Sequence, residues 1–192
     1  MERLRSALEF GGVLKKDDIE TALANFKYRA LKSGDHFQSP GKIANEMCFV
    51  EQGVLRIYAA DKTGDEITKY FVRESQFTGD LASYYSGKPA KDGFQAVVDS
   101  EIYTIHKSLL DKLSMEIPSF YIFLKCVTEA QLINKINDND FLNFGDAKTK
   151  YNEFLKRYPS LVLQIPQQYI ASYLKITPQS LSRIRRGLNK DR

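Results

Sequence analysis

The stretch IPQQYIASYLKITPQSLSRIRRGL, residues 165–188, decides how this chain is read. Its first part, Pro166 to Leu174, sets Tyr169, Ile170, Tyr173 and Leu174 on one side of a short helix. Lys175 and Ile176 make a tight turn, Thr177 supplies an N-cap hydroxyl, and Pro178 stands at the first helical position, where a missing N–H is harmless. A second helix runs from Pro178 to about Gly187, with Leu181, Ile184 and Leu188 inward and Gln179, Ser182, Arg183 and Arg186 outward. Ala171 is small enough for the two helices to approach and Ile176 plugs the turn, so the pattern is a helix-turn-helix.

The outward residue types fit nucleic-acid readout. An Arg guanidinium presents two parallel donors to guanine O6 and N7, and a Gln amide bridges adenine N6 and N7, so Gln179 and Arg183 are the base-reading candidates, joined by Ser182. Lys175, Thr177, Ser180, Arg185, Arg186 and Lys190 are candidates for phosphate contacts, which set register and supply salt-dependent affinity without sequence information. Charge supports this placement. Residues 145–192 hold 10 Lys+Arg against 3 Asp+Glu, whereas residues 1–144 hold 18 against 21. A local excess of that kind is the footprint of a polyanion-binding module.

Upstream, FGDAKTKYNEFLKRYPSL begins a domain with Asp146 as N-cap and Tyr151, Phe154, Leu155 and Tyr158 on a helix face that Pro159 ends. LVLQI, residues 161–165, reads as a short strand before Pro166. Further back, a long helix spans about Ile117 through Phe144 and carries two adjacent apolar stripes. Phe120, Phe123, Val127 and Ala130 form one; Ile122, Cys126, Ile133 and Ile136 form the other. Two stripes exceed what one contact needs, so one packs on the preceding domain and one on a second subunit. The interface residues expected are Phe120, Phe123, Val127 and Ala130, with a single wide core-facing side as the alternative.

Before that helix the period is two. MCFVE, VLRIYAA, EITKYFV, FQAVV and EIYTIH are separated by turn residues at regular short spacing, which predicts an antiparallel sandwich or barrel. Two short helices, within Met1 to Phe26, cap it. The expected organisation is therefore a β domain over 1–115, a linking helix over 116–144 and a helix-turn-helix domain over 145–192.

Composition excludes several classes. The 192 residues are 43% hydrophobic and 27% charged, with no apolar run near the 18 residues a membrane span needs and no secretory leader pattern, so a cytoplasmic, membrane-free location is expected. Cys48 and Cys126 are the only cysteines, in no metal-ligand spacing, and read as two buried thiols. The two histidines, His36 and His106, form no His-x-His pair and read as a turn residue and a strand-end residue. With no ligand cluster and no activated nucleophile, no catalytic residues, metal or cofactor are assigned, and the chain is read as not an enzyme.

Taken together, NEMCFVEQGVLRIYAADKTGDEITKYFV and IPQQYIASYLKITPQSLSRIRRGL resemble the Crp/Fnr superfamily of bacterial transcription regulators over essentially the full length. The resemblance implies an α+β architecture: an N-terminal antiparallel β-roll of the jelly-roll type with flanking helices, a long dimerisation helix and a C-terminal winged helix-turn-helix. It further implies a homodimer on double-stranded DNA with an inverted-repeat site, with RNA polymerase and an unidentified small-molecule effector as further partners. The family's base-contacting positions fall on Pro178, Gln179 and Arg183, and Pro178 has no side-chain donor, so readout rests on the other two. Lys175 stands where that turn often has glycine, which implies local strain.

In the roll, Gly79, Asp80 and Leu81 resemble the start of a cyclic-nucleotide phosphate cassette, but Ala90 and Lys91 stand where an arginine and a hydroxyl residue belong. A buried phosphate diester needs a charge-assisted donor, and only Lys88 and Lys91 remain as point charges. Gly79, Asp80, Leu81, Lys88 and Lys91 are thus the candidate effector pocket, with cyclic AMP disfavoured. The competing reading is a non-enzymatic interaction module whose basic C-terminal domain binds an acidic protein partner.

Overall fold

The computed structural model describes the backbone of residues 1–190 and the side chains of residues 1–188. Helices α1 (Glu2–Glu9) and α2 (Lys16–Leu23) lead into eight strands: β1 (Lys27–Leu31), β2 (His36–Gln38), β3 (Glu46–Gln52), β4 (Val54–Ala60), β5 (Glu66–Arg73), β6 (Phe77–Thr78), β7 (Gly93–Ala96) and β8 (Ser100–His106). A short helix α3 (Leu81–Ser86) interrupts the strands before β7. The strands form two antiparallel sheets, ordered β1-β8-β3-β6 and β2-β7-β4-β5.

Strand residues of alternate sides fill the space between the sheets. Leu31, Phe37, Cys48, Val50, Leu55, Ile57, Val72, Phe94, Ala96 and Ile102 make one buried cluster, the outcome expected when inward positions recur every second residue. The chain turns between β3 and β4 at Gly53, whose φ is +95° and whose missing Cβ would lie 2.3 Å from Ser100 Oγ. No side chain fits there, so the turn depends on glycine.

Helices α4 (Lys107–Glu116) and α5 (Pro118–Asn143) follow the roll. Pro118 lies in the first turn of α5, where its ring is tolerated. The remaining helices are α6 (Ala147–Arg157), α7 (Leu161–Gln164), α8 (Gln167–Tyr173) and α9 (Pro178–Lys190). Asp146 caps α6 by accepting the Thr149 N–H at 2.8 Å.

Four expectations are corrected. LVLQI is a helical turn rather than a strand: Leu161 and Ile165, four residues apart, are both buried, while Leu163 is 88% exposed. That is the helical period, and no neighbouring strand offers a ladder; among the described residues no strand follows β8, so the helix-turn-helix has no β wing there. Cys48 is buried, its thiol held protonated by burial, but Cys126 is exposed. His36 lies in β2 with Nε2 2.8 Å from the Tyr58 hydroxyl, whereas His106 closes β8 and caps α4.

The α5 stripes are used in the opposite sense from that expected. Phe120 and Phe123 are buried in the protomer's own core with Phe49, Phe77 and Leu113, and Val127 packs partly against the same cluster. Ala130 lines the adjoining groove of about 690 Å³ between α1 and α5. The stripe left to solvent is the second one, where Ile122, Ile133 and Ile136 are each more than half exposed. Pro118 starts the helix beside the roll, so Phe120 and Phe123 are buried against it and the other stripe is left to solvent. No helix among the described residues is long and apolar enough to cross a membrane.

Candidate nucleic-acid interface

Helices α8 and α9 cross over a common core. Ile170, Ala171, Tyr173, Leu174 and Leu181 are buried together, with Tyr169, Ile176, Ile184 and Leu188 packed against them. The turn is closed by the Ile176 N–H donating to the Ala171 carbonyl at 3.0 Å and by the Lys175 N–H donating to Ser172 at 3.1 Å. Lys175 has φ +57°, the left-handed conformation that glycine adopts without strain. Its ammonium donates to Asn143 Oδ1 at 3.0 Å, tying the turn to the last residue of α5.

Thr177 caps α9: its Oγ1 accepts the Ser180 N–H at 3.1 Å and donates to Ser180 Oγ at 2.9 Å. Both hydroxyls are therefore engaged in starting the helix. The polar face beyond is open. Gln179, Arg183 and Arg186 are exposed and Ser182 is half-buried, and these four with Pro178 line a shallow hollow of about 370 Å³. Arg185 is half-buried on the flank beside Tyr151, whose phenol is pushed up by burial and partly drawn back by that charge. It is thus set apart from the other outward residues. The Lys190 side chain lies outside the described residues.

The unit is seated on the roll and on α5 through polar contacts. The Thr68 N–H of edge strand β5 donates to Ser172 Oγ at 2.9 Å, and Phe71 meets Tyr173 with ring centroids 5.2 Å apart. Arg56 is buried with its guanidinium 4.4 Å from the Tyr58 ring and 4.0 Å from the Tyr169 ring, its hydrogens donated to Gln95 and Glu66. On the other side, Asp138 of α5 is 4% exposed and accepts hydrogen bonds from the hydroxyls of Tyr158 and, at 2.9 Å, Tyr173. Burial pushes both phenols well above the usual tyrosine range, and the Asp138 carboxylate adds to it. Asp138 and Asn143 were not singled out in the sequence, and Tyr158 and Tyr173 were read there only as apolar helix-face residues. The available signal was the pair of tyrosines on inward helix faces, since a buried phenol requires a hydrogen-bond partner.

The roll candidates do not converge on an anion. Asp80 caps α3 by accepting the Ser83 N–H at 3.0 Å, and a Cβ on Gly79 would lie 3.2 Å from Met47. Leu81 opens α3. Ala90 is buried, its N–H donated to Lys42 and its carbonyl taken by Gly41, while Lys88 and Lys91 are exposed. A phosphate diester would thus find a carboxylate at the helix start and a methyl group where a bidentate donor is needed, and the residues present do not fit cyclic AMP.

Residues 28–116 match the cyclic nucleotide-binding domain family. No curated protein matches the chain. Among solved structures, a transcriptional regulator described as of the Crp/Fnr family from Eubacterium rectale superposes with TM-score 0.73 at 15% identity, covering 97% of this chain and 88% of that one. FixK2 from Bradyrhizobium japonicum superposes with TM-score 0.72 at 17% identity, covering 86% and 85%. The c-di-GMP responsive global regulator CLP of Xanthomonas campestris gives 0.70 at 16% identity, covering 92% and 93%. The chain thus carries a cyclic nucleotide-binding-type domain in residues 28–116 and, over most of its length, has the fold of the Crp/Fnr-type transcription regulators.

Proposed function

We propose that the chain is a dimeric, sequence-specific DNA-binding transcription regulator, with the roll as sensor or scaffold and residues 145–192 as the DNA-binding unit. The observation that carries the proposal is the outer face of α9: Gln179, Ser182, Arg183 and Arg186 surround one shallow hollow on a helix whose opposite face is buried, within the basic segment of the chain. In this reading α9 enters the major groove, Gln179 and Arg183 read bases with Ser182 beside them, and Arg186 meets phosphate. Lys175 and Ser180 hold the turn and the helix start, so their contribution to DNA is chiefly positional.

The second subunit joins through the solvent face of α5, where Ile122, Ile133 and Ile136 stand. A self-complementary contact of this kind is two-fold symmetric, so the site is an inverted repeat with half-site centres about 34 Å apart. The family resemblance adds RNA polymerase and a small-molecule effector other than cyclic AMP as partners. No catalytic step is assigned to any residue.

Selection of binding sites from a random duplex pool by the purified chain tests this, followed by salt titration of the best site against a scrambled one. The expected result is an inverted repeat bound at least about a thousandfold more tightly than the scramble. Equal, weak binding of both duplexes with one salt slope would overturn it and leave the basic unit as a docking surface for an acidic protein.

A further inference from the structure

We propose that Asp138 is the positioning residue that sets the separation of the two recognition helices in the dimer, an inference that rests on the DNA-binding reading above. Helix α5 is continuous from the roll to Asn143, so its last turns join the proposed subunit contact to the C-terminal unit. Those turns enter the core of that unit, where Phe141 and Leu142 are buried beside Phe154, Tyr173 and Leu174. Apolar contacts hold α5 and α8 together at a given distance but leave their relative rotation weakly specified, because such contacts are non-directional.

The direction comes from the carboxylate. Oδ1 of Asp138 accepts from Tyr158, at the end of α6, and Oδ2 accepts from Tyr173, at the end of α8. Arg157 stands 3.7 Å from the same carboxylate and donates to the Asn137 carbonyl at 3.4 Å. An oxygen of a buried carboxylate left without a donor is strongly unfavourable, so turning α8 about α5 takes the Tyr173 hydroxyl away from Oδ2 at a cost in free energy. Tyr173 lies two residues before Lys175, whose own bond to Asn143 continues the tie through the turn into α9. Two phenol bonds converging on one side chain thus give direction to α8, and with it α9, relative to α5, in addition to the contacts that seat the unit on the roll. In a two-fold dimer built on α5, any change in that heading acts on both recognition helices at once.

The experiment uses the full chain, Asp138→Asn, and the Tyr158→Phe/Tyr173→Phe double variant, which removes only hydroxyls and keeps the ring packing. A thermal melt of each variant confines the comparison to folded protein. Binding is measured on duplexes carrying the selected half-sites at the selected spacing, at spacings one or two base pairs longer and shorter, and on a single half-site. The native chain should show a sharp spacing optimum. Both variants should keep single half-site affinity while their preference for the optimal spacing falls about tenfold, the size of a typical coupling between sites. A spacing profile identical to the native one, or an equal loss on every duplex including the single half-site, would overturn the positioning role. A native chain that does not prefer the inverted repeat to a scrambled duplex would instead remove the DNA-binding reading itself, which separates the two failures.

Discussion

The two ends of α5 are attached by different physics. At its start, Phe120 and Phe123 sink into an aromatic and aliphatic cluster with Phe49 and Phe77, the Phe77 and Phe123 ring centroids 5.9 Å apart. At its end, Asp138 gathers two tyrosine hydroxyls while Asn143 accepts from Lys175. Both ends also bury apolar side chains, but only the far one adds convergent hydrogen bonds. Apolar burial gives strength without direction; a buried carboxylate with two donors gives direction at the cost of desolvating a charge. The same helix can thus be anchored firmly at the roll and aimed at the helix-turn-helix.

The largest expected effect breaks the anchored end. Phe120→Ala removes a fully buried ring and should lower the unfolding free energy by about 3–5 kcal/mol, measured as a shifted midpoint in urea at constant slope. A loss under about 1 kcal/mol would mean that the start of α5 is not held by packing. Next is the aimed end: Asp138→Ala leaves the buried Tyr173 hydroxyl without its acceptor and should cost about 1–3 kcal/mol. Tyr173→Phe made on top of Asp138→Ala should then cost much less than it does alone, and simple additivity of the two would dissolve the shared bond.

The smallest effect vanishes at neutral pH and sharpens the comparison by titration. Burial, with Asp138 adding to it, raises the Tyr158 and Tyr173 phenols above their unfolded values. A raised group binds its proton more tightly in the folded chain, so its contribution is complete below the unfolded tyrosine pKa of about 10 and is lost as pH climbs above it. The native chain should hold its stability through neutral pH and lose it progressively above that value. The Tyr158→Phe/Tyr173→Phe variant should show a shallower alkaline decline, since the other buried tyrosines remain. An unchanged slope in a series of urea melts against pH would show that the two phenols are no more protected than ordinary surface tyrosines.

Legibility in the sequence followed how local each signal was. Strands β3, β4, β5, β7 and β8 were readable because β-branched and aromatic residues alternate between turn residues, whereas β1, β2 and β6 were not read; α8 and α9 were readable because Thr177-Pro178 and the three- and four-residue spacings mark their start and faces. LVLQI misled because five apolar-rich residues between two prolines carry too few periods to separate strand from helix; only the burial of Leu161 and Ile165 together distinguishes them. The two α5 stripes were visible, but not which one faces inward, because both satisfy the same spacing. Asp138 sits in the polar run NKINDNDF, where nothing local marks one acid among its neighbours.

The order and type of most elements, the helix-turn-helix with its outward Gln179 and Arg183, and the basic bias of residues 145–192 were determined by the sequence alone, since each arises from periods, caps and charges within a few residues. Tertiary structure decided which face of α5 is consumed by the roll, that Cys126 is exposed, and that Asp138 joins Tyr158 and Tyr173. Those facts depend on pairs 20 and 35 residues apart, or on which surface arrives first at a shared core. Such outcomes are fixed by competition between contacts across the whole chain, and no local pattern encodes them.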